Sequence, residues 1–273
     1  MIGQINNLQT INNWWAMDEV PRFIIISGPT GSGRYTLTKE MSKITHSYLV
    51  ENGLGVDDVR EAVKNCYRCA GRTIYLFRNA DKMSTAAKNA LLKITEEPPR
   101  QAHFVVTVQN SENMLETLRS RATAMPMEAY TAEELDIFYH DYTNKMGEQI
   151  RELSDTPGMM LALEKTDYQG LLDFCNMVVE NINVVTGVNA FKIGQRIRVK
   201  EEGEGWDPDL FFHVLTQVLL QKALDPSRRN KDNARRCSKM LQITRRYCRE
   251  FNMTGLKKDA TLDMWILAMR EVS

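Results

Sequence analysis

The stretch that most limits what this chain can become is FIIISGPTGSGRYTL, residues 23–37. Phe23 to Ile26 are apolar without alternation, which predicts a strand buried on both faces of a parallel sheet. The turn after it aligns with G-x-x-x-x-G-K-[ST], with Gly28 and Gly33 in the two fixed glycine places. Such a turn opens a helix whose first N–H groups face a phosphate. The bland alternative is an ordinary glycine-rich turn between a strand and a helix.

Two places depart from the pattern. Arg34 stands where the pattern has Lys, and Tyr35 where it has Ser or Thr. Arginine keeps the positive charge in a bulkier planar fork. A phenol cannot replace the short hydroxyl that ligates magnesium. Thr36 carries a hydroxyl one residue late, about 100° further around the helix. The candidate phosphate-facing positions are Gly28, Gly31, Ser32, Gly33, Arg34 and Thr36. The next predicted strand, TIYLF (73–77), is followed by Arg78 and Asn79, where a metal-holding carboxylate and a water-orienting Glu would be needed. Asp81, two residues later, is the candidate substitute; its plainer reading is an exposed cap or turn residue. The two motifs are thus broken independently, and no metal site is expected.

Around these motifs the pattern alternates. Helices are expected over 5–20, from Thr36 to Leu49 (with Leu37, Met41 and Ile44 inward), over 56–68 (capped by Asp57) and over 84–97 (capped by Ser84). Strands are expected at 23–27, 73–77 and 103–108, and one or two helical turns at 112–121. Apolar strands alternating with helices imply a parallel sheet covered on both faces. From Thr131 the chain reads as helices, opened by a Thr131/Glu134 capping box, with a weak strand candidate near 184–188 and a polar joint at 200–208.

With 273 residues, two or three domains are expected. Thirty-five basic residues cancel thirty-five acidic ones, so nothing global demands nucleic acid. No apolar run approaches the roughly 20 residues that span a bilayer, and the first residues lack the pattern of a secretory signal. Five scattered cysteines fit a reducing cytoplasm. Cys66 and Cys69 form one CxxC pair where a structural zinc needs four ligands, so no zinc is expected. His46, His103, His140 and His213 show no ligand or triad spacing, and Met240, Met264 and Met269 read as core filling. The densest basic stretches, 228–239 and 244–249, read as a solvated helix face or an interface with an acidic neighbour, with DNA phosphates as the alternative.

The segment RTIYLFRNADKMSTAAKNALLKITEEPP, residues 72–99, resembles the AAA+ clamp-loader ATPases, with Ala80 to Met83, Asn89 to Lys93 and Glu96 to Pro99 matching. HFVVTVQNSENMLETLRSRA (103–122) is similar to the family's next strand and its Ser-Arg-Cys element: Ser120 and Arg121 match, and Ala122 replaces Cys. Ile2 to Gln4, residues 56–63 and the Pro-Gly stretch 154–163 also fit. Within the family the likeness is nearest to the delta-prime branch of the bacterial DNA polymerase III clamp loader, known for degenerate nucleotide motifs. Missing are the four-cysteine zinc module and a lid arginine, for which this chain has Met159.

The resemblance implies an α/β P-loop (AAA+) core over 1–128, a helical lid over 129–168 and an all-α collar over 169–273. It implies a non-catalytic, stator-like subunit in the cytoplasm. The implied partners are other AAA+ subunits, a sliding clamp and, through the assembly, primer-template DNA. Arg121, beside Ser120, would act in trans as an arginine finger on a neighbour's ATP. Lys82, Lys88 and Lys93 are candidates to touch DNA phosphate. No ATP–Mg²⁺ held by this chain is expected. Two other readings stay open: a P-loop ATPase recruiting Thr36 or Asp81 for magnesium, and a DNA-binding module on an inactive AAA+ fold.

Overall fold

The computed structural model describes residues 1–142, 147–184, 187–197, 206–224, 231–251 and 258–272. The chain forms two compact units, Met1–Asn144 with Asp155–Gly158, and Lys145–Ser154 with Met159–Ser273. The residues expected as a lid, 129–168, are shared between them.

The first unit is a five-stranded parallel sheet in the order β2-β3-β4-β1-β5. Its strands are β1 (Phe23–Ser27), β2 (Tyr48–Asn52), β3 (Thr73–Phe77), β4 (Ala102–Val108) and β5 (Thr123–Pro126). The three central strands have no polar face because helices cover both sides. Phe23, Ile25, Tyr75, Phe77, Phe104 and Val106 face one core with Val59, Ala62, Leu91 and Ile94. Those partners come from α3 (Val56–Cys66) and α4 (Thr85–Glu96). The alternate residues Ile24, Ile26, Ile74, Leu76 and Val105 face a second core with Ile11, Leu37 and Met41, from α1 (Ile5–Ala16) and α2 (Arg34–Ile44).

Three strands were expected and five are present. The helix from Thr36 ends at Ile44 rather than Leu49, and Tyr48–Asn52 forms the edge strand β2. Tyr48 and Glu51 on it face solvent, so it lacks the apolar run that marks a buried strand. β5, at the other edge, has only Met125 buried. Helix α1 stops at Ala16, with Ile5 and Trp15 exposed. Helix α3 is capped at Gly55, not Asp57: the Gly55 N–H donates to the Asp58 carboxylate at 2.9 Å. Ser84 caps α4 as read, accepting from the Ala87 N–H. The stretch 112–121 holds one helical turn, α5 (Glu116–Arg119). Thr131 and Glu134 exchange both capping-box hydrogen bonds ahead of α6 (Ala132–Tyr142).

The second unit is helical: α7 (Glu148–Glu152), most of α8 (Pro157–Glu164), α9 (Tyr168–Asn181), α10 (Gly187–Ile197), α11 (Pro208–Leu224), α12 (Lys231–Phe251) and α13 (Lys258–Arg270). The weak strand candidate at 184–188 meets the start of α10 at Gly187, while 185 and 186 lie outside the described residues, as do 200–205 of the expected joint. Its core is aromatic. Trp265 meets Phe211 and Phe212 edge-on at 5.6 and 5.4 Å, and its indole N–H donates to buried Thr244. Met240 and Met269 are core residues as expected, whereas Met264 is 54% exposed.

Candidate functional site

The glycine-rich turn lies between the carboxyl end of β1 and the start of α2. Gly33 is the N-cap at φ +87°, in the left-handed region that glycine enters without strain, and no side chain caps this helix. The turn is held from outside through its carbonyls: Tyr130 Oη donates to Ser32 O at 2.9 Å, Thr156 Oγ1 to Thr30 O at 3.1 Å and the Gly158 N–H to Gly31 O at 3.0 Å. Gly158 approaches so closely that a Cβ there would lie 2.4 Å from Gly31 Cα. Gln109 Nε2 donates to Thr30 Oγ1 at 3.0 Å.

Two polar atoms of the turn are buried without a partner, Ser32 Oγ and Arg34 Nη1. Ser32 Oγ lies over Gly28, 2.9 Å from where a Cβ on that glycine would sit. Arg34 reaches from the first turn of α2 to the end of β3, where its Nη2 donates to Asn79 Oδ1 at 3.4 Å. Burial lowers its guanidinium pKa, opposed by the Asp81 carboxylate. Thr36, the late hydroxyl, is exposed on α2.

Tyr35 turns away from the loop. Its hydroxyl donates to Glu51 on β2, and its ring lies 4.1 Å from the Arg78 guanidinium and 4.4 Å from Lys39 Nζ. Arg78 also pairs with Glu51 at 3.4 Å. The hydrogen bond from Tyr35 and the charge of Arg78 hold the Glu51 carboxyl below its ordinary range. The residues in the two metal-holding places are therefore packed on each other.

Asp81 is not the exposed turn residue the sequence suggested. It is 5% exposed and accepts from the Gln109 N–H at 2.6 Å. Burial raises its carboxyl pKa, while that hydrogen bond and the charges of Arg34 and Lys88 pull it down. Lys88 is likewise buried rather than facing DNA: its Nζ donates to Asn113 O at 2.7 Å. A carboxylate between two buried cations, joined through Gln109 to Thr30 of the turn, is a part of the site that sequence reading missed. The three residues lie on three separate elements, and their spacing carries no signal.

Ser120 and Arg121 are exposed just after α5. Ser120 Oγ donates to Thr117 O at 3.1 Å. Arg121 donates to the same carbonyl at 2.9 Å and to Glu96 Oε1 at 3.1 Å. Lys82 and Lys93 belong to the segment around α4. Cys66 and Cys69 are free thiols bonded to backbone carbonyls, and burial pushes the Cys66 thiol up to about 11. Among the described residues no three His, Cys, Asp or Glu side chains stand close enough together to hold a metal. Of the basic stretches, 231–239 and 244–249 lie on α12, and 228–230 lie outside the described residues.

The fold implies a nucleotide with magnesium, and the residues fit only half of it. The phosphate half fits: Gly33 in the left-handed region leads into an uncapped helix start. The metal half does not, because Tyr35 and Arg78, at the sequence places of the metal ligands, turn to Glu51 and offer neither a short hydroxyl nor a carboxylate.

Residues 50–131 match the family model described as DNA polymerase III, delta subunit. The chain is 34% identical over 140 residues to the DNA polymerase III subunit delta-prime of Escherichia coli strain K12, a match covering 49% of this chain and 40% of that protein. It is 22% identical over 226 residues to the DNA polymerase III subunit gamma of Buchnera aphidicola, covering 69% of this chain and 62% of that one. The chain therefore spans less than two thirds of these curated relatives. Among solved structures, a DNA polymerase III gamma subunit-related protein from Thermotoga maritima aligns with TM-score 0.54 at 18% identity, over 97% of this chain and 99% of that one. The Holliday junction branch migration motor RuvB of the same organism aligns with TM-score 0.55 at 16% identity, over 77% of this chain and 87% of that one. At these identities the two structures speak for the fold. No described helix is long and apolar enough to cross a membrane.

Proposed function

We propose that this chain, similar over part of its length to DNA polymerase III delta-prime and gamma subunits, is an AAA+ clamp-loader protein and serves as a non-catalytic, stator-like subunit of a DNA sliding-clamp loader. In this reading it braces a ring of AAA+ subunits in the cytoplasm. The ring acts on a sliding clamp and primer-template DNA, and the neighbours supply the ATP hydrolysis. The observation that carries the reading is the 4.1 Å contact between Tyr35 and Arg78. An ATPase of this fold needs a small hydroxyl and a carboxylate there to hold magnesium.

Arg121 is assigned the role of acting on a neighbour's nucleotide. Its guanidinium is exposed, and its partners are a backbone carbonyl and Glu96, itself 57% exposed. An exposed pair of this kind is worth about 0–1 kcal/mol, so the arginine can leave it for the charge developing on a γ-phosphate. A finger of this type supplies about 10³ to 10⁵ in rate at the site it serves.

The test is ATP turnover by the reconstituted assembly with wild-type chain or Arg121→Ala, beside the chain alone. The expected result is no turnover by the chain alone and at least a tenfold loss, as an order of magnitude, at the neighbouring site of the variant assembly. Turnover by the isolated chain, or an unaltered assembly with the variant, refutes the proposal.

A further inference from the structure

We propose that the amino end of the sheet is a docking site for an acidic segment of a partner protein: Arg22, Arg72 and Arg100 receive the carboxylates of an extended chain, and Trp15, Met17 and Tyr48 meet its apolar side chains. The site lies at the opposite end of the strands from the glycine-rich turn and does not depend on the stator reading.

The sheet register places the cations. Arg22 and Arg72 immediately precede β1 and β3, the strands that flank β4, and Arg100 lies in the turn that enters β4. β1 and β3 both pair with β4 in parallel, so the three arginines stand at one end. The Arg22 guanidinium donates to Arg100 O and lies 3.3 Å from His103 Nε2. Arg72 Nη2 donates to Asp18 Oδ1 at 2.6 Å, while Arg72 Nη1 is buried without a partner. Arg72, and behind it Arg100 and Arg22, hold the Asp18 carboxyl below its ordinary range. Burial and then the charges of Arg72 and Arg100 lower the pKa of Arg22, and Asp18 opposes them. Three guanidiniums thus act on one carboxylate, whose side chain is 82% exposed. Like charges held within reach of one another are disfavoured, and further carboxylates relieve them.

The residues beside the cations are apolar and open. The Arg72 guanidinium lies 4.7 Å from the Trp15 ring, and the His46 ring 5.4 Å from it. Trp15, Met17 and Tyr48 are 37%, 67% and 74% exposed. Tyr48 belongs to the same end: its N–H donates to Arg72 O, and its ring lies 3.4 Å from where a Cβ on Gly71 would sit. Aromatic residues, methionine and arginine are the groups that protein interfaces enrich.

The layout selects an extended peptide. Neighbouring strands are about 4.8 Å apart, so Arg22 and Arg72, two strands apart, start about 10 Å from each other. Alternate side chains of an extended segment leave one face about 6.6–7 Å apart. Carboxylates two residues apart then each meet a guanidinium, which binds a carboxylate through two parallel hydrogen bonds. Flanking apolar residues reach the exposed rings. A nucleic-acid strand fits less well, because its unbroken row of phosphates also meets Asp18 and Glu19, both exposed. A peptide turns an amide or apolar group to them.

Fluorescence anisotropy tests this with the full chain and a labelled short peptide whose two glutamates stand two residues apart between leucines. The control peptide carries glutamine for both glutamates, and the competitors are inorganic phosphate and a single-stranded oligonucleotide. The glutamate peptide is expected to bind at least tenfold tighter than the control, as an order of magnitude for two charged contacts. Arg22→Gln and Arg100→Gln should each weaken it roughly three- to tenfold. Asp18→Asn removes the competing carboxylate and keeps a residue suited to the left-handed backbone there, φ +54°; it should tighten binding about threefold. Melting curves check that the variants fold, and Arg100→Gln decides if Arg22→Gln melts early, because Arg100 is exposed. Absence of binding at millimolar peptide, equal binding of the two peptides, or an Asp18→Asn chain that binds no tighter overturns the proposal. So does displacement by phosphate or the oligonucleotide at a lower concentration than by unlabelled peptide.

Discussion

Lowering the pH from 7 to 5 should destabilise the α/β unit through one side chain, His103. The ring is buried at the start of β4, with Nδ1 2.9 Å from Pro21 O and Nε2 3.3 Å from Arg22 Nη1. A carbonyl only accepts, so Nδ1 carries the proton. A guanidinium only donates, so Nε2 is the acceptor. The ring is held neutral. Arg22 and Arg72 oppose a second proton and Asp18 favours one, but burial dominates and lowers the pKa from 6.5 to about 4. Between those values the unfolded chain binds a proton that the folded chain does not, so stability falls as pH drops through the window. At 1.36 kcal/mol per unit, about 2 kcal/mol is lost by pH 5 and about 3 kcal/mol once both forms are protonated. For a domain of this size that is a Tm loss of about 4–8 °C at pH 5. Asp81, whose carboxyl is raised by burial, works in the opposite sense as pH falls. The readout is therefore the difference between wild type and His103→Gln, which shares Asp81 and can still donate to Pro21. Scanning calorimetry at pH 7 and pH 5 should show the wild type losing several degrees more than the variant. Equal losses in the two proteins refute the assignment of a neutral, buried His103.

Two substitutions probe how the functional surfaces are held. Gly158→Ala places a Cβ 2.4 Å from Gly31 Cα; backbone cannot yield as a flexible side chain does, so a loss of about 1–3 kcal/mol is expected in chemical denaturation. Glu96→Gln removes the carboxylate 3.1 Å from Arg121 and should change stability by less than about 1 kcal/mol, with partner ATP turnover in the assembly retained.

The sequence revealed the elements whose residues are uniformly apolar or regularly capped. Phe23–Ser27, Thr73–Phe77 and most of β4 were legible because burial on both faces leaves no choice of residue. β2 and β5 were not, because an edge strand needs few buried residues: Tyr48 and Glu51 face solvent and only Met125 of β5 is buried. Of the site, the glycine turn, Arg34 and Tyr35 were legible because a turn that must enter the left-handed region leaves a glycine pattern. Asp81 and Lys88 were misread because charged residues are rarely buried unless paired. Their compensation comes from Arg34, Gln109 and Asn113, distant in sequence and near only in the fold. The brace on the turn from Tyr130, Thr156 and Gly158 was silent for the same reason.

The contact between Tyr35 and Arg78 changes how the two lost motifs count. As sequence they are two separate substitutions, each able to arise alone, and their joint occurrence looks like independent confirmation. In the fold the guanidinium sits 4.1 Å from the phenol ring and both groups bind Glu51, so one favours the other and they amount to a single coupled change. Support for a metal-free site then rests on chemistry: the two sequence places that would supply oxygen ligands carry a phenol and a guanidinium, both turned to Glu51. Restoring one residue alone would leave the other in place. Tyr35→Thr still presents Arg78 to the metal, and Arg78→Asp sets a new carboxylate against Glu51 and removes the cation over Tyr35. Neither single change rebuilds a magnesium site, which is the physical reason such a loop, once closed in this way, stays closed.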